Sequence, residues 1–137
     1  MNSLFQSIWA KLTAKMGNKP VRAEYSTRNF FSAIDRHAGN VPLSASSSLT
    51  SLATYLFKPA AGDLEKVRAI YVWIAQNIAY DAETYKNGDY ADTTPEGVFK
   101  SKKAVCAGYA NLFLRLAEYA GLQATVIGGY SKGYEYD

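Results

Sequence analysis

The most reactive side chain in the sequence is that of Cys106, the one cysteine among 137 residues. The residues after it predict a helix that begins at this cysteine. A helix N-terminus stabilises a thiolate, because its free backbone N–H groups and its dipole favour negative charge. Three lysines within residues 100–103 add positive charge just upstream, and Ala107 and Gly108 are small enough to let a substrate backbone approach closely. The pattern therefore indicates a nucleophilic thiol.

An unpaired cysteine also has a structural interpretation. Free cysteines are among the most buried residue types and behave as small hydrophobic side chains. The position of Cys106 alone leaves both interpretations open, a buried filler and a working thiol. A single cysteine does exclude an intrachain disulfide framework and a cysteine-rich zinc site.

A nucleophilic thiol needs a proton acceptor, and His37 is the one histidine in the sequence. It lies far upstream of Cys106, near the predicted C-terminus of a helix, where a partly charged imidazole is stabilised by the helix dipole. A capping or surface role is therefore favoured for His37. Asp81 and Asp92 lie in an acidic stretch, where solvated charge is the usual explanation.

Hydrophobic periodicity predicts the elements that would position the thiol. Residues 80–94 lack such a pattern and are predicted to form an exposed acidic loop. We predict helices at residues 4–16 and 27–38, from Leu49 to just before Pro59, from Asp63 to Ile78, after a Thr94 cap, and between Cys106 and Gly121. One of the later serines within residues 44–48 is expected to cap the helix that starts at Leu49, and Asp63 is expected to cap the next one.

A strand is predicted after the last helix, at residues 123–130. A lone strand leaves its backbone donors and acceptors unpaired, and everything upstream is predicted to be helix or polar loop. Three explanations stay open. Residues after Asp137 complete a sheet, the strand pairs with another molecule, or the stretch is not a strand.

Composition places limits on the class of protein. With 48% hydrophobic and 20% charged residues, the chain is predicted to fold as a single soluble domain. No apolar run reaches the roughly 18 residues that cross a bilayer, and no signal peptide is recognisable, so a cytoplasmic location is expected. A net charge of +3 without a binding signature argues against nucleic acid. For the basic helix at 4–16 we favour packing on its own domain over contact with a membrane surface.

Several runs of residues resemble the transglutaminase-like superfamily of papain-like cysteine enzymes, in particular its kyphoscoliosis-peptidase type. The resemblance covers roughly Ser48 to Tyr130. It is carried by the run Lys66-Val67-Arg68-Ala69-Ile70-Tyr71-Val72-Trp73-Ile74-Ala75, by Asn77-Ile78-Ala79-Tyr80-Asp81, by Val105-Cys106-Ala107-Gly108-Tyr109-Ala110 with Leu112-Phe113, by Gly121-Leu122 and by Val126-Ile127-Gly128-Gly129-Tyr130. Ile34-Asp35-Arg36-His37-Ala38 and Pro42 are similar to the leader that precedes such domains.

The resemblance implies an α+β fold that is predominantly helical in this chain. It would be the N-terminal helical lobe of a papain-like, transglutaminase-like fold, with the first sheet strand at 123–130 and the rest of the sheet missing. The expected organisation is an amphipathic helix or arm at 1–24, a helical leader and serine-rich linker at 25–47, and an incomplete transglutaminase-like domain at 48–137.

The same resemblance implies that Cys106 is the nucleophile of a Cys, His, Asp triad. The reaction would be acyl transfer or hydrolysis at peptide or protein amides through a thioester, with Ala107, Gly108, Tyr109 and Tyr80 as candidates for the substrate cleft or the oxyanion site. For the two tyrosines, packing on a helix face is the favoured alternative. No metal or cofactor is implied.

The family's histidine and aspartate are expected in segments after the strand, and the sequence ends before both. We therefore expect this chain to be inactive by itself. The alternative function is a non-catalytic interaction module whose strand edge at 123–130 recruits a partner strand or a second copy.

Overall fold

The computed structural model describes residues 30–129, which form six α-helices and two short strands around one core. The elements are α1 (Ser32–Ala38), a 3₁₀ turn (Leu43–Ser46), α2 (Leu49–Leu56), α3 (Asp63–Asn77), β1 (Ala79–Tyr80), α4 (Ala82–Asn87), α5 (Pro95–Ser101), β2 (Lys103–Ala104) and α6 (Cys106–Tyr119). The predicted α+β, predominantly helical class is confirmed. The predicted arm at 1–24, residues 25–29 of the leader and residues 130–137 lie outside the described residues.

Helix α3 occupies the centre of the core, because apolar residues line more than one of its faces. Trp73 is 2% exposed, and Ile70 and Ile74 are fully buried. Helices α1, α2 and α6 all pack against it. The core also contains these fully buried side chains from the surrounding elements: Leu52, Leu56, Val98, Leu112 and Leu116. The leader helix α1 shares this core through Ile34 and Ala38.

A two-pronged ion pair joins α1 to α3. Arg68 donates to Asp35 Oδ1 at 2.7 Å and to Asp35 Oδ2 at 2.8 Å. The guanidinium also lies over the rings of Phe31 at 5.4 Å and Tyr71 at 5.6 Å. The hydrogen bonds to Asp35 raise the pKa of Arg68, so its charge is firmly retained. A two-pronged pair fixes orientation as well as distance, and it therefore sets how the leader sits on the core.

Two helix starts follow the predicted caps. Ser48 accepts a hydrogen bond from the Ser51 N–H at 3.1 Å, and Thr94 accepts one from the Gly97 N–H at 3.1 Å. Both satisfy a backbone donor that the helix itself leaves free. Helix α3 differs, because Asp63 is its first residue and no side chain caps it. An acidic residue in the first turn still complements the helix dipole.

The predicted loop at 80–94 contains regular structure that the sequence pattern did not indicate. Asp81 caps helix α4 by accepting from the Thr84 N–H at 3.2 Å, and Gly88 ends the helix with a positive φ of 68°. Tyr80 belongs to β1, which pairs in parallel with β2 through Ala79 with Lys103 and Tyr80 with Ala104. Two-residue strands carry no alternating pattern, so only the folded chain reveals them.

The strand predicted at 123–130 is absent from its described part. Residues 123–129 are not assigned to any strand, and the two strands of residues 30–129 lie elsewhere. A strand requires a hydrogen-bonded partner, and no segment between residues 30 and 129 pairs with this one. Val126 and Ile127 are residue types that favour strands, which is why the sequence predicted one. In the structure they are 45% and 66% exposed. No helix within the described range is long and apolar enough to cross a membrane.

Candidate active site

The thiol of Cys106 is exposed at the first residue of the 14-residue helix α6. The predicted start of the helix at this cysteine is therefore confirmed, and burial as a hydrophobic filler is not what the structure shows. Val105 precedes the helix in an extended conformation, and no side chain among the described residues caps it. The N–H groups of the first turn thus lie next to an accessible sulfur.

The short sheet brings Tyr80 to Cys106. Strand β2 ends two residues before the cysteine, and Tyr80 is registered opposite Ala104. The Asp81 N–H donates to the Ala104 carbonyl at 3.0 Å, which holds the two chain segments together. Partial burial raises the pKa of the Tyr80 hydroxyl, and the charges of Cys106 and Tyr85 raise it further. The Tyr80 hydroxyl therefore holds its proton more firmly than an isolated tyrosine does, and it is close enough to Cys106 for the two groups to interact electrostatically.

Tyr109 supports Tyr80 from helix α6, one turn after the cysteine. The two rings are stacked, with centroids 6.3 Å apart and planes 17° from parallel. The Tyr109 hydroxyl donates to the Ile78 carbonyl at 2.7 Å. Burial, and then the neighbouring Tyr80, raise the pKa of Tyr109. Tyr109 is thus partly a packing residue, whereas Tyr80 stays 40% exposed.

The two small residues after Cys106 differ in their surroundings. Ala107 is exposed, and Gly108 is buried. A Cβ on Gly108 would lie 2.9 Å from the Ala104 Cβ and 2.9 Å from a Val98 methyl group. The close approach that Gly108 permits is therefore that of strand β2 and helix α5. It is not the approach of a substrate backbone that the sequence suggested.

The upstream lysines are only partly available to the thiol. The Lys102 ammonium lies 3.9 Å from the centroid of the Phe99 ring and 4.9 Å from that of Trp73. Burial lowers the pKa of Lys102. Lys100 and Lys103 are exposed, and the charge of Lys103 acts on Asp81.

Comparison with known proteins shows which family this chain belongs to. The Transglutaminase-like superfamily matches residues 50–136, a segment that includes α3, both strands and the whole of α6. The chain belongs to the transglutaminase-like superfamily. The predicted resemblance is therefore confirmed.

Individual transglutaminase-like relatives match most of the chain. It is 39% identical over 106 residues to kyphoscoliosis peptidase of Mus musculus and likewise to that of Homo sapiens, covering 77% of this chain and 16% of each relative. It is 34% identical over 126 residues to the Lim and transglutaminase domain protein ltd-1 of Caenorhabditis elegans, covering 85% of this chain and 17% of that protein. The chain thus spans about one sixth of the length of these relatives. No solved structure matches.

The histidine of this transglutaminase-like chain serves the packing of α1 on α2. The His37 ring stacks on Tyr55 with centroids 4.1 Å apart, and His37 Nε2 donates to the Tyr55 carbonyl at 2.7 Å. The prediction favoured a capping or surface role for His37, and the structure instead shows a half-buried ring that packs on a neighbouring helix. These contacts occupy the face and the Nε2 nitrogen of the ring, and they involve no residue of the Cys106 site.

Asp81 and Asp92 both accept hydrogen bonds next to helix starts: Asp81 is the N-cap of α4, and Asp92 lies two residues before Thr94, the N-cap of α5. Asp81 bonds both the N–H and the hydroxyl of Thr84, and Asp92 accepts from the Thr94 N–H at 2.9 Å and its hydroxyl at 2.7 Å. These hydrogen bonds lower the pKa of each carboxyl group. The Asp92 carboxylate lies against Gly97, where a Cβ would overlap it. Residues 30–129 contain no group of side chains that could hold a metal ion.

One residue near the site went unpredicted. Tyr85 of α4 places its ring 6.3 Å from that of Tyr80, at an angle of 58°. The spacing of Asp81 and Thr84 is the capping signal that could have revealed this helix, and with it the position of Tyr85.

Proposed function

We propose that this chain carries the nucleophile of an acyl-transfer site that acts on peptide or protein amides. The Cys106 thiolate attacks the amide carbonyl, the sulfur–carbon bond forms, the carbon–nitrogen bond breaks, and the departing amine takes up a proton. A second amine or water then attacks the thioester and loses a proton, the sulfur–carbon bond breaks, and the thiolate returns.

The observation that carries this proposal is the exposed thiol at the first residue of α6, inside the segment that matches the family. A free cysteine retained for packing would be expected in the core. The N–H groups of the first helical turn favour the negative charge of a thiolate and of the oxyanion that follows attack. In the proposal, the Cys106 N–H is one oxyanion donor.

Tyr80 is the proposed second contact to the reacting amide. The phenol of a tyrosine is protonated at neutral pH, and the raised pKa of Tyr80 preserves this, so its hydroxyl can donate a hydrogen bond to the carbonyl oxygen. Tyr109 is proposed to hold the Tyr80 ring in place by stacking. Ala107 lines the exposed start of the helix, and Gly108 acts through the packing of β2.

Proton transfer in the proposal belongs to a group other than His37, since that imidazole is engaged with Tyr55. The family resemblance implies a histidine and an aspartate in segments beyond those described. The amide reaction needs such a group, because an amine leaves only when it is protonated. An activated ester does not, because nitrophenolate is a good leaving group without a proton.

The experiment therefore uses p-nitrophenyl acetate as acyl donor and glycinamide as acceptor. We expect N-acetylglycinamide to form faster with the chain than with an equal concentration of glutathione at the same pH. The excess rate is expected to disappear in Cys106→Ser. Equal rates for the wild-type chain and Cys106→Ser would overturn the proposal.

A second candidate function is a binding module that recruits a partner strand at 123–130. It is favoured by Val126 and Ile127, which are 45% and 66% exposed in a segment without a strand partner in the described chain. Sedimentation of the wild-type chain and of a Val126→Ser, Ile127→Ser double variant tests it. An association that the double variant loses would support it, and a wild-type chain that stays monomeric at high concentration would exclude self-association.

A further inference from the structure

Helix α4 presents an aromatic side chain that the core does not use. None of the residues of α4 is buried, and Tyr85 is 67% exposed. Its ring contacts that of Tyr80, with centroids 6.3 Å apart. Tyr85 therefore adds little to the core, and core packing does not explain its position next to Tyr80.

Three tyrosine rings form a row on the elements that adjoin Cys106. Tyr109 stacks on Tyr80, and Tyr80 contacts Tyr85. Hydrogen bonds hold the first two members: the Tyr109 hydroxyl bonds the Ile78 carbonyl, and Tyr80 is in the β1–β2 pair. Cys106 lies one helical turn before Tyr109 and influences the ionisation of Tyr80. Tyr85 is thus the exposed outer ring of a row whose two inner rings are held by hydrogen-bonded neighbours.

The geometry of the outer pair suits a third aromatic ring. Tyr80 and Tyr85 meet at 58°, so an incoming ring can contact one face-on and the other edge-on. Charges of both signs flank the pair at Glu83, Lys86 and Lys103, so the local charge does not select an ionic group. An aromatic side chain is therefore the occupant that these two rings fit best.

We propose that Tyr85 is a specificity-determining residue, which with Tyr80 receives an aromatic side chain next to the amide that reacts at Cys106. The inference rests on the function proposed above, because it concerns the acyl donor of that reaction. Aromatic pairs contribute enough free energy to change a rate by about 2- to 10-fold.

Two chloroacetamides test this preference directly on the intact chain. N-benzylchloroacetamide and N-methylchloroacetamide carry the same reactive chloroacetyl group. In each case a bond forms between the Cys106 sulfur and the carbon that loses chloride. The measured quantity is the ratio of the benzyl to the methyl alkylation rate, divided by the same ratio for glutathione. We expect the normalised ratio to be about 2 to 10 in the wild-type chain.

The variants separate Tyr85 from exposed tyrosines in general. Tyr85→Ala should lower the normalised ratio towards one, because only the Tyr80 ring remains, whereas Tyr85→Phe should keep the wild-type ratio because both rings remain. Tyr90→Ala is the matched control, since Tyr90 is 94% exposed and follows α4 closely in the chain. Thermal melting checks that all three variants are folded, which their exposed positions favour.

Each outcome decides one of the two proposals. A wild-type ratio of one, an unchanged ratio in Tyr85→Ala, or an equal loss in Tyr90→Ala would overturn the role of Tyr85. The absolute methyl rate against glutathione reports on the thiol itself. A methyl rate slower than that of glutathione, with a preserved benzyl preference, would count against Cys106 as an activated nucleophile and would still support the role of Tyr85.

Discussion

The hydroxyl of Tyr109 donates a hydrogen bond to the backbone carbonyl of Ile78 at 2.7 Å. Ile78 follows α3 directly and precedes β1, and Tyr109 lies one turn after Cys106 in α6. The bond therefore joins the helix that carries the thiol to the segment that carries Tyr80. Through this link, the position of the candidate site depends on the packing of α6 against the central helix.

Tyr109→Phe should lower the free energy of unfolding by about 1 kcal/mol. The substitution removes the hydroxyl that donates to the Ile78 carbonyl. Because Ile78 is only 6% exposed, water does not easily replace this hydrogen bond. Urea unfolding followed by circular dichroism measures the change. Tyr90→Phe is the control at an exposed tyrosine, and equal stabilities for both variants would show that the hydrogen bond contributes nothing.

Gly108→Ala should destabilise the chain by about 1 kcal/mol or more, although alanine is the better helix former. The added methyl group would meet Ala104 and Val98 at 2.9 Å, so strand β2 or helix α5 must shift. Gly128→Ala is the matched control, because nothing lies within 4 Å of a Cβ there. A Gly108→Ala chain as stable as the wild type would mean that β2 moves away at no cost.

The pair of Arg68 and Asp35 should show a coupling energy of about 1 kcal/mol in a double-mutant cycle of Arg68→Met and Asp35→Asn. Its two-pronged geometry and its side-chain exposures of 29% and 35% support this value.

Arg115 and Glu96 provide the comparison, at 3.1 Å and with exposures of 39% and 62%. We expect their coupling to be about 0.5 kcal/mol or less, because exposed pairs are screened by solvent. If the two cycles give the same coupling, the leader helix is not held by this ion pair.

Acid should destabilise the folded chain by protonating Asp81 and Asp92. Hydrogen bonds from Thr84 and Thr94 lower their pKa in the folded chain. Each carboxylate therefore stabilises the fold at pH values above the ordinary aspartate pKa of about 3.9. The contribution is lost as the pH falls through the lower folded-state value.

Melting temperatures at neutral pH and near pH 3 measure this loss. The Asp81→Asn, Asp92→Asn variant keeps an oxygen acceptor at both positions but has no carboxyl group to titrate there. Its melting temperature should fall less on acidification than that of the wild-type chain. An equal fall in both proteins would place the acid sensitivity elsewhere.

Local signals in the sequence predicted those parts of the fold that depend on neighbouring residues. The Ser48 and Thr94 caps and the start of α6 at Cys106 are set by side chains within one turn of the helix end. Helix α4 was missed because its apolar face is absent and only its cap, Asp81, marks it.

Contacts between distant segments could not be predicted in this way. The pairing of Tyr80 with Ala104 creates two-residue strands, too short for any periodicity. The strand predicted at 123–130 shows the opposite error, because its residue types favour a strand while no partner exists within the described chain. The contact of Tyr85 with Tyr80 depends on helix α4 and on the pairing of β1 with β2, and so this part of the candidate site emerged only from the structure.

The rate at which Cys106 is acetylated is the most direct test of the central claim that Cys106 acts as a nucleophile. The chain is mixed briefly with p-nitrophenyl acetate, quenched in acid and analysed by peptide mass spectrometry. We predict an acetyl thioester on Cys106 that forms faster than the thioester of glutathione and is absent after Cys106→Ser. A Cys106 that is acetylated no faster than glutathione would contradict the claim.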